Sequence, residues 1–430
     1  MNFGASNYVR RGAPSGRRRT SREWLPYVTG LLIISLFSMV MTKVGPVTIR
    51  PFDVGLSIVA AVGLLKSRVG SGLGIPNNGL FWLAVFLYLY IPFSGYSMSP
   101  MADVIKEGVQ RVELLMLAVM IVHAANSETK RAKLMRTLLV GTGLVAGVTA
   151  VWHIFNGHPY YYKFLGKPKL AFGLFAFLAF IHFFSERDST LPTSWFTVIL
   201  TGAVLLMLLS GERKGWVAFG AGALAFLGFH ERTSVRQNYS RILRWGAAAV
   251  ALTGAVWVGS SIDSVNKQID SLQTIGEAFS TDGVDWRRAE TPSNQTRLYI
   301  LDFTIQTLQE HPFFGIGIEN FSRRVVINSP NPSYDGGAHS QFNRIAVENG
   351  LVGLSLYVFL WGLMCVYLYR AKRRLPAERH FEVASIFGLV VYGATLNLFL
   401  GGGVLNTVFQ VLPLGPTLGL QRELYGRRRG

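Results

Sequence analysis

Charge and cysteine are both scarce in this chain of 430 residues. Charged residues make up 15% of it and apolar residues 50%, whereas a soluble chain of this size carries about 25% charge. One soluble core cannot hide so much apolar surface, so the composition excludes an ordinary soluble enzyme and a disordered protein. The single cysteine, Cys365, lies in an apolar run, so the chain forms no intramolecular disulfide and is not a disulfide scaffold.

The apolar residues come in runs that are long enough for membrane-spanning helices. Alternating ten-residue stretches, the pattern of a membrane β-barrel, are lacking. Helices are then the remaining way to cross a bilayer with every backbone polar group satisfied. We predict an all-α, polytopic membrane helix bundle of about twelve transmembrane helices. Their approximate limits are 25–42, 52–65, 79–95, 109–124, 135–155, 170–184, 194–210, 215–229, 244–260, 340–369, 382–400 and 402–420.

The net charge of +18 is distributed as in a multi-pass membrane protein. Lys and Arg cluster in alternate segments between the apolar runs, which is the positive-inside pattern and not the footprint of a nucleic-acid-binding protein. This pattern predicts both termini in the cytoplasm and a lipid bilayer around the helices. No small-residue cleavage site follows the first apolar run, so we also expect the first helix to be retained. The predicted domains are a cytoplasmic tail at 1–24, transmembrane helices 1–9 within 25–259, a large periplasmic loop at 260–339, transmembrane helices 10–12 within 340–420, and a cytoplasmic tail at 421–430.

The long polar connection carries signals for helices of its own. Thr291-Pro292 has the pattern of an N-cap followed by the first helical residue. His311-Pro312 predicts the end of that helix, because proline disfavours helical backbone in the residue before it. Two amphipathic stripes are predicted to face the bundle. They are Val265, Ile269, Leu272 and Ile275, and then Leu298, Leu301, Ile305 and Leu308.

Three cations in the predicted outward-facing segments are candidates for binding an anion. Arg213 and Lys214 follow a short turn between two apolar runs. Arg297 lies one turn before Leu301, so both share a helix face. The purely structural alternatives are a solvated hairpin for the first pair and an ion pair for Arg297.

His339 is the candidate general base. Together with Ser340 it precedes a long apolar run, where a helix N-terminus favours neutral imidazole. The structural alternative is a simple helix cap. No metal-ligand cluster, phosphate loop or dinucleotide motif accompanies it in the sequence, so we expect neither a metal nor a cofactor.

At these positions the sequence resembles the bacterial O-antigen ligase and O-antigen polymerase superfamily. Its ligases carry a His, then Asn, Ser or Gln, nine further residues, a Gly, two residues, and a Gly, Thr or Tyr. In this chain the named positions are His339, Ser340, Gly350 and Gly353. They also carry an Arg and a Leu with three residues between them. That pair matches Arg297 and Leu301. The segment 311–317 looks like the family's loop segment, and 348–350 looks like its helix continuation.

The resemblance implies a membrane glycosyltransferase of the bacterial inner membrane with a periplasmic active site. The donor would be a polysaccharide linked to undecaprenyl diphosphate, and the acceptor lipid A–core or another glycan. By this resemblance Arg213 and Arg297 bind the diphosphate and His339 activates the acceptor hydroxyl, with Lys214 and Glu348 as possible supporting residues. Two arginines supply charge stabilisation without a metal, and attack from the opposite face inverts the anomeric carbon.

Two alternatives remain open at the level of sequence. A polymerase of the same superfamily would extend O-antigen or exopolysaccharide repeats, and its signatures overlap with those of a ligase. A transporter or flippase without catalysis would need polar residues deep within its spans. Arg111 and Glu113 are the candidates for that role, but they lie near the end of a span and are expected to form a local pair.

Overall fold

The computed structural model describes most of the predicted membrane helices and part of the long loop. It covers residues 24–37, 42–44, 47–49, 52–59, 76, 78–94, 98–156, 168–184, 193–210, 213–230, 279–280, 283–284, 292–327, 340–399 and 404–426. The predicted span 244–260 and the first amphipathic stripe of the loop lie outside the described residues.

The described part is helical, with two short hairpins. The hairpins are β1–β2 (Thr42–Val44, Val47–Ile49) and β3–β4 (Phe279–Ser280, Gly283–Val284), each an antiparallel pair that the sequence did not predict. The helices are α1 (Leu25–Ser35), α2 (52–59), α3 (Gly79–Phe93), α4 (Met101–Ala124), α5 (Glu128–Asn156), α6 (Pro168–Phe183), α7 (Thr193–Leu209), α8 (Arg213–Phe229), α9 (Pro292–Glu310), α10 (Asn320–Ile327), α11 (Gln341–Arg374), α12 (His380–Phe399) and α13 (Val404–Gly426). A short 3₁₀ helix, Ala377–Arg379, precedes α12.

A helix lies at each predicted span except the one outside the described residues. Three of these helices are long and apolar enough to cross a membrane: Glu128–Val151, Gln341–Arg374 and Ala377–Phe399. Five more are apolar but shorter, among them Gly79–Phe93 and Lys214–Phe229. The structure therefore confirms a helical membrane protein and leaves the number of twelve spans a prediction.

Glycines allow the closest helix contacts in the bundle. A Cβ atom on Gly222 of α8 would lie 3.0 Å from the carbonyl oxygen of Gly388 of α12, and one on Gly173 of α6 would lie 3.2 Å from the Cα atom of Gly215. Small residues at such contacts let helix backbones approach, which favours helix association where the surrounding lipid is itself apolar. These contacts fix the position of α8, the helix that begins at Arg213.

Candidate functional site

The helix that carries Arg297 has the predicted bounds but a different buried face. It begins at Pro292 and ends at Glu310. Of the predicted stripe, Leu298 is buried, whereas Ile305 is 43% exposed. The face that is buried instead carries Thr296, Ile300, Thr304 and Thr307.

Threonine hydroxyls explain why the predicted stripe was wrong. Thr304 donates to the carbonyl oxygen of Ile300 at 2.7 Å, and Thr307 donates to that of Phe303 at 2.8 Å. A threonine that satisfies its hydroxyl within its own helix can pack as a small apolar residue. The hydrophobic pattern treats threonine as polar and therefore selects the wrong face.

This helix packs on the start of α11 through a small apolar cluster of its own. Ile300 meets Val347 of α11, and Ile316, Phe321 and Val325 complete the cluster from the intervening chain. Burial raises the pKa of the neighbouring Tyr299 phenol above its ordinary value, with the Asp302 carboxylate as a second cause. The cluster brings α9 against the first turns after His339 and Ser340.

The long helix α11 is interrupted at Gly350, where the sequence predicted one continuous helix. Gly350 has φ +65° and ψ −166°, which splits the helix into 341–349 and 351–374. The segment 312–317 fills the break. Ile316 and Gly317 donate their N–H groups to the carbonyl oxygens of Val347 and Glu348, at 2.9 and 3.0 Å.

The same segment accepts hydrogen bonds from the far side of the break. Leu351 and Val352 donate to the carbonyl oxygens of Pro312 and Phe313, at 2.7 and 3.3 Å. Backbone polar groups freed by a helix break must find partners, at considerable cost if they are buried and do not. Segment 312–317 thus replaces the missing helical hydrogen bonds.

Five charged side chains meet beside this break, and we call them the ionic cluster: Glu107 and Arg111 of α4, Glu319 of the turn before α10, and Arg344 and Glu348 of α11. All but Glu319 are buried. Arg111 Nε donates to Glu107 Oε1 at 2.8 Å, and Arg344 Nε donates to Glu348 Oε2 at 2.9 Å. Both pairs are spaced four residues apart along a helix, which places the partners on one face.

Arg344 links the two pairs to each other and to the turn. Its Nη2 atom lies 3.6 Å from Glu107 Oε2 and 3.6 Å from Glu319 Oε1. The other oxygen of Glu348, Oε1, accepts the backbone N–H of Glu319 at 2.9 Å. Glu319 has φ +59°, a conformation that costs a residue with a side chain, so this hydrogen bond holds a strained turn.

Further buried polar contacts continue from the ionic cluster into the bundle. The Arg111 guanidinium lies over the Tyr88 ring, 5.7 Å from its centroid, and the Tyr88 hydroxyl donates to Gln410 at 2.9 Å. Asn349, fully buried next to the break, donates to the carbonyl oxygen of Ile91 at 2.8 Å. The break in α11 is thereby tied to α3, α4 and α13.

Two of the predicted site residues lie on helices that pack against each other. Arg297 is half-buried on α9, and Glu348 is buried on the half-helix against which α9 packs. His339 lies outside the described residues. Its neighbour Ser340 is the N-cap of α11, and its hydroxyl accepts the N–H of Asn343 at 3.2 Å.

The other two cations are on a separate element. Arg213 is the first residue of α8, and Lys214, the second, is half-buried. Within the described residues, the apolar cluster that joins α9 to α11 contains no residue of α8, which packs on α6 and α12. The described side chains also offer no group of three or more His, Cys, Asp or Glu residues arranged to hold a metal ion.

The sequence interpretation missed Glu107 and Arg344, and it named a different partner for Arg111. Arg111 pairs with Glu107, one turn earlier, rather than with Glu113, because residues two apart on a helix point to different faces. The signal was present in the sequence. Both Glu107–Arg111 and Arg344–Glu348 have the four-residue spacing of helical ion pairs.

Three apolar helices of membrane length indicate a multi-pass helical membrane protein. The helix of Arg297, α9, packs on one of them, the interrupted helix α11. Residues 196–358 match the family model described as O-antigen ligase. This match confirms the predicted resemblance to the O-antigen ligase superfamily, whose members are glycosyltransferase-like ligases and polymerases. The matched segment contains the five predicted site residues and Arg344, whereas Glu107 precedes it. No curated protein matches the chain significantly.

Proposed function

We propose that the chain is a membrane glycosyltransferase that moves a polysaccharide from undecaprenyl diphosphate to an acceptor sugar at the periplasmic face of the inner membrane. The specific reaction proposed is O-antigen ligation to lipid A–core. The observation that carries this proposal is the packing of α9, with Arg297, on the half-helix that directly follows His339 and Ser340. That contact falls within the segment that matches the O-antigen ligase family.

The proposed role of the cations follows from the chemistry of the donor. Diphosphate is already a good leaving group, so the reaction needs charge stabilisation and no general acid. A guanidinium binds two phosphate oxygens at once through parallel N–H groups, and in a partly dry site such contacts are strong. We assign this role to Arg297 and Arg213, with Lys214 as a supporting charge.

The proposed role of His339 is to take a proton from the acceptor hydroxyl. The acceptor oxygen then forms a bond to the anomeric carbon while the bond from that carbon to the diphosphate oxygen breaks. The proton remains on the imidazole, undecaprenyl diphosphate leaves, and attack from the opposite face inverts the anomeric configuration. The N-terminal position before Ser340 favours the neutral imidazole that a base requires.

Glu348 contributes through the protein rather than through the substrate. Its two carboxylate oxygens already accept hydrogen bonds from Glu319 and Arg344, and the side chain is buried. A carboxylate would also repel the diphosphate. The contacts therefore favour a supporting role, in which Glu348 holds the start of α11.

Purified protein in lipid nanodiscs tests the proposal. It is mixed with a polysaccharide linked to undecaprenyl diphosphate and with lipid A–core, with and without EDTA. We expect long chains on lipid A–core, equally fast in the presence of the chelator. Extension of the lipid-linked chains without transfer to lipid A–core would show a polymerase instead, and movement of the donor across the bilayer without a new glycosidic bond would show a transporter.

Variants separate catalysis from folding in this assay. Loss of one charge-stabilising donor typically costs on the order of 10²–10³ in rate, so we expect that loss for Arg297→Ala. Arg323→Ala is the matched control, because Arg323 is a half-exposed loop arginine that pairs with Asp103 at 2.6 Å. A surface pair of this kind contributes about 0–1 kcal/mol to stability, and transfer should be nearly unchanged.

A further inference from the structure

Stability alone does not explain why the chain buries the ionic cluster. Four of its five side chains are buried. The free energy lost when ion pairs are removed from water is often barely offset by their mutual attraction. Charged residues within membrane segments are rare and are usually linked to function. The cluster therefore calls for a role other than general stability.

Its position suggests what that role is. The cluster joins three elements: α4, the turn at Glu319 that directly follows the break-filling segment 312–317, and the half-helix 341–349. Two further contacts fasten the turn to the start of α4. Ser99 donates to the carbonyl oxygen of Ile318 at 3.0 Å, and Asn320 donates to that of Met98 at 2.8 Å.

Arg344 is the central residue of this arrangement. Its backbone N–H donates to the carbonyl oxygen of Ser340 at 3.1 Å, so it lies one helical turn after the residue next to His339. Its guanidinium faces carboxylates from all three elements: Glu107 of α4, Glu319 of the turn and Glu348 of its own half-helix. Arg344 is thus the cation that links all three carboxylates, whereas Arg111 pairs with Glu107 alone among them.

We propose that Arg344 is a positioning residue for glycosyl transfer, which holds the half-helix beginning beside His339 in fixed register with α4 and with the turn at Glu319. The proposal rests on the proposed function. Arg344 acts through the protein and does not touch the donor, because its side chain is buried and its guanidinium already faces three carboxylates. Its ion pairs fix the orientation of the half-helix and its distance from α4 more narrowly than apolar packing alone does.

The proposal predicts which kinetic constant changes. A displacement of about 1 Å in a reacting group can cost on the order of 10²-fold in rate. Without Arg344 the half-helix still forms, so the donor still binds to Arg297 but the base is misplaced. The turnover number should therefore fall while the Michaelis constant for the donor stays within about twofold.

Kinetics of two Arg344 variants test this directly in nanodiscs, with rates normalised to folded protein. For Arg344→Met we expect kcat to fall by on the order of 10–100-fold with little change in KM. Arg344→Lys keeps the charge and should recover a substantial part of kcat; it is also the variant to use if Arg344→Met does not fold. Arg323→Ala serves as the control, since it also removes an α4 contact but at the surface. A kcat for both Arg344 variants equal to that of the control would overturn the proposal.

Hydrogen exchange supplies a test that does not require activity. In Arg344→Met, the amides of Ile316, Gly317, Leu351 and Val352 should exchange at least about tenfold faster, because their hydrogen bonds across the break loosen. Amides of α12 should be unchanged. Unaltered exchange at the break refutes the positioning role even if the wild-type protein transfers no sugar, whereas faster exchange in a protein without transfer activity refutes only the proposed function.

Discussion

Gly350 of α11 and Phe313 of the loop approach so closely that no side chain fits between them. A Cβ atom on Gly350 would lie 2.3 Å from both the carbonyl carbon and the carbonyl oxygen of Phe313. The backbone of Gly350 has φ +65° and ψ −166°, a region that is essentially restricted to glycine. Gly350, the first glycine of the family motif, is therefore required for two reasons. Its backbone conformation favours glycine, and its contact with Phe313 leaves no room for a side chain.

Replacing this glycine should disrupt the break and the site beside it. We expect Gly350→Ala to lower the midpoint of thermal unfolding markedly, because the strained backbone alone costs about 1–3 kcal/mol and the clash adds to it. Gly362→Ala, later in the same helix, is the control. A Cβ atom there meets nothing within 4 Å, so alanine should be neutral or stabilise by up to about 1 kcal/mol. Equal unfolding midpoints for the two variants would contradict the assigned role of Gly350.

Local signals in the sequence predicted the loop helix well. Pro292 and the His311-Pro312 pair set the two ends of α9, because proline acts on the backbone regardless of what the helix packs against. The buried face of α9 was not predictable in the same way. It depends on Thr304 and Thr307, whose hydroxyls are satisfied inside the helix, and on a partner surface that is distant in sequence.

The ionic cluster shows what the sequence could and could not reveal about the site. The pairs Glu107–Arg111 and Arg344–Glu348 are visible in the sequence as four-residue spacings. Glu348 was a candidate supporting residue because of the family resemblance. The meeting of the two pairs is not visible, since it joins residues more than 200 positions apart. The resemblance to a family supplied Arg297 and His339 as candidates. It explained neither the break at Gly350 nor the segment 312–317 that fills the break.

Two positions on α4 predict the orientation of the chain: Glu107, in its second turn, and Ala125, its C-cap residue. Glu107 and Ala125 are separated by 18 residues, or about 27 Å of helix, close to the thickness of the hydrocarbon core. Glu107 belongs to the ionic cluster, whereas the carbonyl oxygen of Ala125 accepts a hydrogen bond from Arg131 at 2.7 Å, in a second group of charges. We expect the first group at the periplasmic surface and the second at the cytoplasmic surface.

Thiol labelling measures this orientation in intact spheroplasts. After replacement of Cys365 by serine, a cysteine is introduced either at Gln306 on α9 or at Glu378 in the 3₁₀ helix, both of which are exposed. A membrane-impermeant reagent should label Gln306→Cys in intact cells and Glu378→Cys only after lysis. The reverse pattern would invert the topology and place the proposed site in the cytoplasm.

The second group of charges should matter for stability and not for transfer. Arg131 donates to Glu423 at 2.7 Å and pairs with Glu382, while Arg379 donates to Glu423 at 2.9 Å. Glu382 and Glu423 are half-buried and keep Arg379 as a partner, so the loss of Arg131 should cost less than the ~3–5 kcal/mol of a fully buried pair. Arg131→Met should still lower the yield and the unfolding midpoint. The kcat of the protein that does fold should match that of the wild type. A selective loss of kcat would show that this group, too, acts on the reaction.

Arg297 and His339 should behave as one catalytic unit. If both act on the same transition state, each alanine variant loses most of the transfer rate, by on the order of 10²-fold or more, and the double variant is little worse than either single one. Arg297→Lys should recover little, because lysine keeps the charge but lacks the planar fork that binds two phosphate oxygens.

The structural alternative makes a different forecast for the same variants. An ion pair at Arg297 contributes about 0–1 kcal/mol. The N-cap of α11 is Ser340, so His339 without a catalytic role would contribute only about 0.5 kcal/mol or less, as a typical surface residue does. Both alanine variants would then transfer sugar in proportion to the amount of folded protein, and their effects on stability would add because each contact is independent. Transfer rates per folded molecule therefore decide between the two, and near-wild-type rates in both single variants would remove Arg297 and His339 from the mechanism.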